Sequence, residues 1–221
     1  MKKLTYINAC DQCYVYFCVN LKNQRMKLKI TSVFAIVAVL ALSAFKNGTK
    51  PVTYSVDVAK STITWVGKKV TGSSHNGTTV LKSGSLNVNG KNVTGGSFVI
   101  DMTAIKDAEG SEKLEGHLKA DDFFGTDKFP TSAFVITKVA GSGTKVNITG
   151  NLTIKGITKP ISFPATVAVN ADGTVSALAG KITVDRTKYD IKYSSSSFFG
   201  SLGDKAIDDN FEIGVKLVAK K

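Results

Sequence analysis

From Tyr54 onward, apolar side chains recur at every second position: Ile63 and Trp65; Phe98, Ile100 and Met102; Val146, Ile148, Leu152 and Ile154; Phe211, Ile213, Val215 and Leu217. A period of two sends successive side chains to opposite faces of an extended backbone, so each run predicts a half-buried strand. Thr, Ser, Asn, Lys and Asp fill the positions between them. That is the pattern of sheets with one wet face, and it predicts antiparallel rather than buried parallel pairing. Asn89-Gly90, Gly95-Gly96, Gly141 to Gly143 and Asp172-Gly173 read as turns between long hairpins. One stretch breaks the period. Ser111 to Ala120 predicts a short helix, with Ser111 as its cap, Glu112 and Glu115 in the early turns, and Leu114 and Leu118 four apart.

The fold expected is therefore all-β: a single antiparallel barrel of about eight strands between Tyr54 and Ala219, with a short helical insertion. Closing the barrel removes exposed edges. Its interior is either filled by its own side chains or leaves room for one small ligand, and periodicity does not choose between these. A hydrophobic fraction of 43% with 21% charged residues is ordinary for a globular domain, and no linker composition divides residues 46–221.

The N-terminal segment has a different character. Lys27 and Lys29 precede the apolar run Val33 to Leu42, which is followed by Ser43 and Ala44, the pattern of a secretory signal peptide. The run is about half of the ~20 residues that span a bilayer, so no permanent membrane span is expected. We read residues 1–25 as an upstream extension before the true start at Met26, residues 26–45 as the signal with cleavage near Ser43 or Ala44, and residues 46–221 as the barrel. Cys10, Cys13 and Cys18 all lie in the upstream piece. Their spacing suggests a metal or redox site only superficially, because zinc needs a fourth ligand and the only histidines are His75 and His117. No cysteine stands near Ala44 for lipid attachment, so a periplasmic or secreted product is expected.

The charge balance of +12 is partly a property of that segment: six of the 29 basic residues and one of the 17 acids fall within residues 1–45, leaving +7 for the rest. The remaining lysines are scattered and acids cluster from Asp107 to Asp127, which argues against nucleic acid as a partner.

Three segments resemble signatures of the YceI family of lipid-binding proteins. The first is Gly116-His117-Leu118-Lys119-Ala120-Asp121-Asp122-Phe123-Phe124, continuing to Lys128-Phe129-Pro130 and Phe134. The second is Gly150-Asn151-Leu152-Thr153-Ile154-Lys155-Gly156-Ile157-Thr158-Lys159-Pro160, which resembles the family's strand, turn and strand. The third is Asp185-Arg186-Thr187-Lys188-Tyr189-Asp190-Ile191, with Asp190 at the family's usual Gly position. With a weaker match from Trp65 to Gly77, the resemblance runs from about Tyr54 to Ala219. It implies a lipocalin-like barrel with a long apolar channel that accommodates polyisoprenoid chains, in exported bacterial proteins.

Candidate cavity residues on inward faces are Trp65, Phe98, Ile100, Phe134 and Ile136 from the first half of the barrel, and Ile154, Phe163, Tyr189 and Phe211 from the second. Phe123 and Phe124, with Phe129 and Phe134, form an aromatic concentration able to gate a mouth or to seal the barrel beneath the helix. His75, in the loop Gly72 to Gly77, is a candidate for a head group or for a solvated loop histidine. His117 is a candidate for ligand contact, capping or packing. Arg186, the one arginine of residues 46–221, can pair with a diphosphate or carbonyl head group, or with a nearby acid such as Asp185 or Asp190.

Other features carry less. Tyr193 to Ser197 and Phe198-Phe199-Gly200 read as a loop, with no Gly-x-Ser-x-Gly element. Glu115, Asp121 and Asp122 read as capping or solvated carboxylates rather than an acid-base pair. Asn-x-Thr triplets at Asn76, Asn92, Asn147 and Asn151 follow from a Thr-rich composition. The two histidines form no metal-ligand spacing, although scattered carboxylates can converge in space, and neither a metal nor a cofactor beyond bound lipid is expected.

The expectation is thus an exported, non-enzymatic binder of an amphiphilic isoprenoid of the quinone or polyprenyl phosphate type, for transport, storage or sequestration. The alternative is a fully packed barrel acting as a stress-related structural or interaction protein. A homodimer is compatible with either.

Overall fold

The computed structural model describes residues 50–221. The signal segment, the upstream extension, Met26, Ser43, Ala44 and the three cysteines lie outside the described residues.

The described residues form nine strands. β1 (Val52–Val56), a 3-10 turn (Val58–Lys60), β2 (Thr62–Lys69), β3 (Ser74–Asn89) and β4 (Asn92–Asp107) precede a helix, α1 (Glu112–Lys119). β5 (Thr131–Ser142), β6 (Lys145–Ile154), β7 (Ile157–Val169) and β8 (Val175–Asp185) follow, then 3-10 turns at Arg186–Tyr189 and Gly203–Lys205, and finally β9 (Ile207–Lys220). Every ladder between these strands is antiparallel. β1 and β2 occupy one position end to end: β1 pairs with the far ends of β3 and β9, and β2 with the opposite ends of the same two strands. The nine strands therefore make an eight-position barrel, closed by the β3–β4 ladder, in agreement with the fold expected from the period-two pattern.

Two bulges change which residues face inward. In β3, Thr79 and Leu81 are buried, and after the register shift between Leu81 and Ser83 the buried positions become Leu86 and Val88. In β8 the same happens between Ala179 and Ile182. An extra residue in one strand bends it and moves the alternation by one. One predicted turn is likewise a feature of a strand: Gly95 and Gly96 lie inside β4, opposite Asn87 and Leu86, next to another register shift. A Cβ on Gly96 would sit 2.6 Å from the Ser85 carbonyl oxygen, so this glycine allows close strand approach rather than chain reversal. The β6–β7 turn is Lys155-Gly156, both at positive φ (49° and 74°), the two-residue hairpin geometry that matches strand twist.

The β7–β8 ladder is short. It joins Thr166–Val169 to Val175–Leu178, while Ile157 to Ala165 and Ala179 to Asp185 carry no backbone pairing with each other. The barrel is thus tied at its base, where Val88, Val175 and Ala219 are 2% exposed or less, and splayed along one seam above it.

α1 forms as its sequence predicts. Ser111 Oγ accepts the Leu114 N–H at 3.3 Å, which satisfies one of the free N-terminal donors, and Leu118 is buried. Among the described residues, no helix is long and apolar enough to cross a membrane.

Candidate functional site

An apolar cavity of about 210 Å³ runs inside the barrel. Near the base it is walled by Leu86, Val93 and Val167, and at the other end by Phe123, Phe124, Arg186 and Phe211. For scale, an apolar cavity of about 150 Å³ suffices to stay dry and hold a benzene-sized molecule. The interior is therefore not filled by the protein's own side chains.

Eight of the nine cavity residues expected from the sequence line it: Trp65, Phe98, Ile100, Phe134, Ile136, Ile154, Phe163 and Phe211. The fold brings three of them together midway along the axis. Phe98 stacks on Phe134 at 6.4 Å between centroids, and Phe134 tilts against Phe163 at 5.6 Å. Tyr189 does not reach the lumen. It is 1% exposed, in the 3-10 turn after β8, and burial raises the pKa of its hydroxyl above the ordinary value. Its position on a turn, not a strand, takes it out of the inward alternation.

Sequence reading missed cavity residues where no aromatic drew attention, such as Leu81, Met102, Ala177 and Ile182. Ile182 faces inward only because of the β8 bulge. Ala177 matters because it is small: alanines on an inward face leave volume that larger side chains would fill.

The aromatic run after α1 closes the upper end. Phe123 is buried and meets Phe124 edge-on at 5.2 Å, and Phe124 meets Phe211 at 6.3 Å. Phe129 lies apart, over the β6–β7 turn. His117 packs edge-on against Tyr193 at 4.5 Å and Phe123 at 5.7 Å, and it is not part of the cavity wall. His75 stands in β3 rather than in a loop, is about half exposed, and lies 3.9 Å from Asp107, away from the lumen.

Arg186 borders the cavity, yet four of its five N–H donors are spent on backbone. Nε donates to Asp208 O at 2.9 Å, Nη1 to Ile191 O and Tyr193 O at 2.9 Å each, and Nη2 to Ile207 O at 3.0 Å. Asp209 Oδ1 stands 3.6 Å from Nη2. Burial pulls the guanidinium below its ordinary pKa, opposed by Asp209, Asp208 and Asp185; an arginine nevertheless stays charged in a protein. Of the two roles open from sequence, the geometry is that of a structural clamp, with backbone carbonyls as its main partners rather than Asp185 or Asp190. It pins Tyr193 and β9 to the 3-10 turn. The segment so held presents Phe198 and Phe199, each about half exposed.

Of the carboxylates considered for acid-base work, Glu115 and Asp121 are engaged elsewhere, and Asp122 is exposed. Glu115 takes Lys106 Nζ at 2.8 Å and the Asp107 N–H at 3.1 Å, and Asp121 pairs with Lys128 at 2.7 Å on the surface. In the lumen itself the polar side chains are few. Thr79 Oγ1 donates to Asp101 O, and Ser132 Oγ is buried without a hydrogen-bond partner.

Comparison with known proteins agrees with this architecture. The family model described as a YceI-like domain matches residues 54–219. A UPF0312 protein of Pseudomonas aeruginosa is 35% identical over 80 residues, 34% of this chain and 42% of that protein. Protein YceI of Escherichia coli O157:H7 is 34% identical over 76 residues, 34% of this chain and 39% of its own. The matched stretch thus spans about two fifths of these curated relatives. Among solved structures, a polyisoprenoid binding domain from Saccharophagus degradans, implicated in plant cell wall breakdown, superposes with a TM-score of 0.61 at 16% identity, covering 76% of this chain and 97% of that one. BcnA of Burkholderia cenocepacia superposes at 0.55 with 23% identity, covering 75% and 99%. At these identities the two structures share the fold.

Proposed function

The chain belongs to the YceI-like family, and on that premise we propose that it is an exported carrier or sequestering protein that holds an isoprenoid lipid along the axis of its barrel. The observation that carries this reading is the continuous apolar cavity of about 210 Å³ in a barrel whose side chains leave it open. A prenyl chain burying ~500 Å² would gain on the order of 12 kcal/mol at ~25 cal/mol/Å², before the costs of association and chain ordering. Apolar burial is thus the main driving term for a ligand in a lumen with few polar side chains.

A binder rather than an enzyme fits the polar inventory, since Glu115, Asp121 and Arg186 are each held by structural partners. Of the two head-group classes, a neutral quinone fits better than a polyprenyl phosphate. Arg186 has four of its five donors committed to carbonyls, and the carboxylates of Asp208 and Asp209 act on it electrostatically, so a phosphate arriving there would meet acids with one guanidinium N–H to receive it. Export rests on the signal pattern of residues 26–45.

The test is to express the full-length chain in a Gram-negative bacterium, purify it without detergent, and extract it for mass spectrometry. A near-stoichiometric isoprenoid supports the reading, and a mature mass beginning after Ser43 or Ala44 supports export. An empty extract, with no thermal shift on adding quinones or polyprenyl phosphates, would sink it in favour of an interaction protein acting through its outer surface.

A further inference from the structure

At the rim where β3 meets β4, three side chains converge that the cavity does not use. The ladder pairs Gly77 with Asp107, and the Ala108 N–H continues it by donating to Asn76 O at 2.9 Å. His75 lies two residues before Gly77 in β3, and Glu109 lies in the turn that follows Asp107, where the Gly110 N–H donates to Asp107 O at 3.2 Å. One imidazole nitrogen and one oxygen from each carboxylate all lie within 4.8 Å of one another.

Asp107 makes this more than a surface cluster. Its side chain is 0% exposed. Oδ2 accepts the N–H groups of Glu109 and Ser111 at 3.2 and 3.1 Å, which fixes the carboxylate at the turn leading into α1. Oδ1 is buried without a hydrogen-bond donor and points toward His75, whose Nδ1 is 3.9 Å away. A buried carboxylate oxygen left without a donor is costly and rare.

We propose that His75, Asp107 and Glu109 form a binding site for a borderline divalent cation of the Zn²⁺ class. An imidazole with two carboxylates suits such ions, whereas Ca²⁺ and Mg²⁺ take all-oxygen sets. Three protein ligands with water completing the shell is a usual zinc arrangement. Asp107 is the fixed member, and the exposed side chains of His75 and Glu109 close on it by rotation. The ion would tie the β3–β4 rim to the start of α1, which carries Leu118 to the end of the cavity.

The experiment uses the full chain with Cys10→Ser, Cys13→Ser and Cys18→Ser, so that thiols do not take the metal, and a purification tag without histidine. Zn²⁺ is titrated calorimetrically, with thermal unfolding followed in parallel. One Zn²⁺ per chain is expected, with a raised Tm, and no comparable effect from Ca²⁺ or Mg²⁺. His75→Ala and Glu109→Gln should each weaken binding by roughly 10-fold or more, since loss of even an outer-shell partner commonly costs ~10–100-fold. Asp122→Asn, an exposed acid outside the cluster, should change nothing. Both substituted ligands are exposed, so folding survives where Asp107→Asn would endanger the turn. Absence of 1:1 binding, or binding indifferent to His75→Ala, would overturn the proposal and leave His75 and Asp107 as neighbouring side chains only. The readout needs no isoprenoid, so it stands or falls apart from the proposed function.

Discussion

The guanidinium carbon of Arg186 lies 5.9 Å from the centroid of the Phe123 ring, joining the 3-10 turn after β8 to the aromatic run that closes the cavity. The same guanidinium donates to four backbone carbonyls. A lysine has three donors on a flexible stem and does not reproduce this planar fork. Arg186→Lys is therefore expected to cost about 3 kcal/mol or more through unpaired buried groups, measured by denaturant unfolding. A variant of native stability that selectively loses lipid would return Arg186 to the role of head-group ligand.

Ala177 lines the lumen. Ala177→Phe should fill the void, leave Tm unchanged or higher, and abolish isoprenoid copurification. Phe163→Ala should instead lower stability by about 3 kcal/mol while lipid is still recovered. Mass spectrometry of solvent extracts beside thermal melts separates these outcomes, and lipid retained by Ala177→Phe would place the ligand elsewhere.

Asp190, at the position where the family motif has Gly, adopts φ 59°, ψ 31°. That left-handed conformation costs a non-glycine residue about 1–2 kcal/mol, less for Asp. Its ion pair with Lys192 at 2.8 Å is exposed and screened by solvent, so it contributes little. Asp190→Gly should thus be neutral within about 1 kcal/mol, and Asp190→Val clearly destabilising. Equal effects from both substitutions would mean that the ion pair, not the backbone, governs the site.

Glu115 is held below its ordinary value of 4.5 by Lys106 first and by the Asp107 N–H second. Its folded-state pKa is depressed, so its stabilising contribution is complete above the unfolded pKa and is lost as pH falls through the folded one. Tm should fall on acidification below about pH 4.5, and Glu115→Gln should lower Tm at neutral pH while flattening that acid limb. Parallel acid limbs in the two proteins would remove Glu115 from the account.

Much of the architecture was legible because it is local. Alternation at Val146, Ile148, Leu152 and Ile154 survives intact in β6, and the Ser111 cap starts α1 one residue later, at Glu112. Gly95-Gly96 misled because glycine marks both chain reversal and close strand approach, and only the neighbouring Ser85 carbonyl distinguishes them. Tyr189 misled because an aromatic beside a strand shares its chemistry with a lumen residue but not its direction.

By itself, the sequence determined the strands, the antiparallel habit, the helical insertion and the family, since each is written in residues near one another along the chain. Only the tertiary structure decided the rest. The cavity is a small difference between the space the barrel encloses and the volume of its side chains, and period two records which face a residue takes, not how much room remains there. The bulges in β3 and β8 reset that face at Leu86 and Ile182. Arg186 meets backbone carbonyls, which no side-chain pattern announces, and His75 reaches Asp107 and Glu109 only through the β3–β4 register.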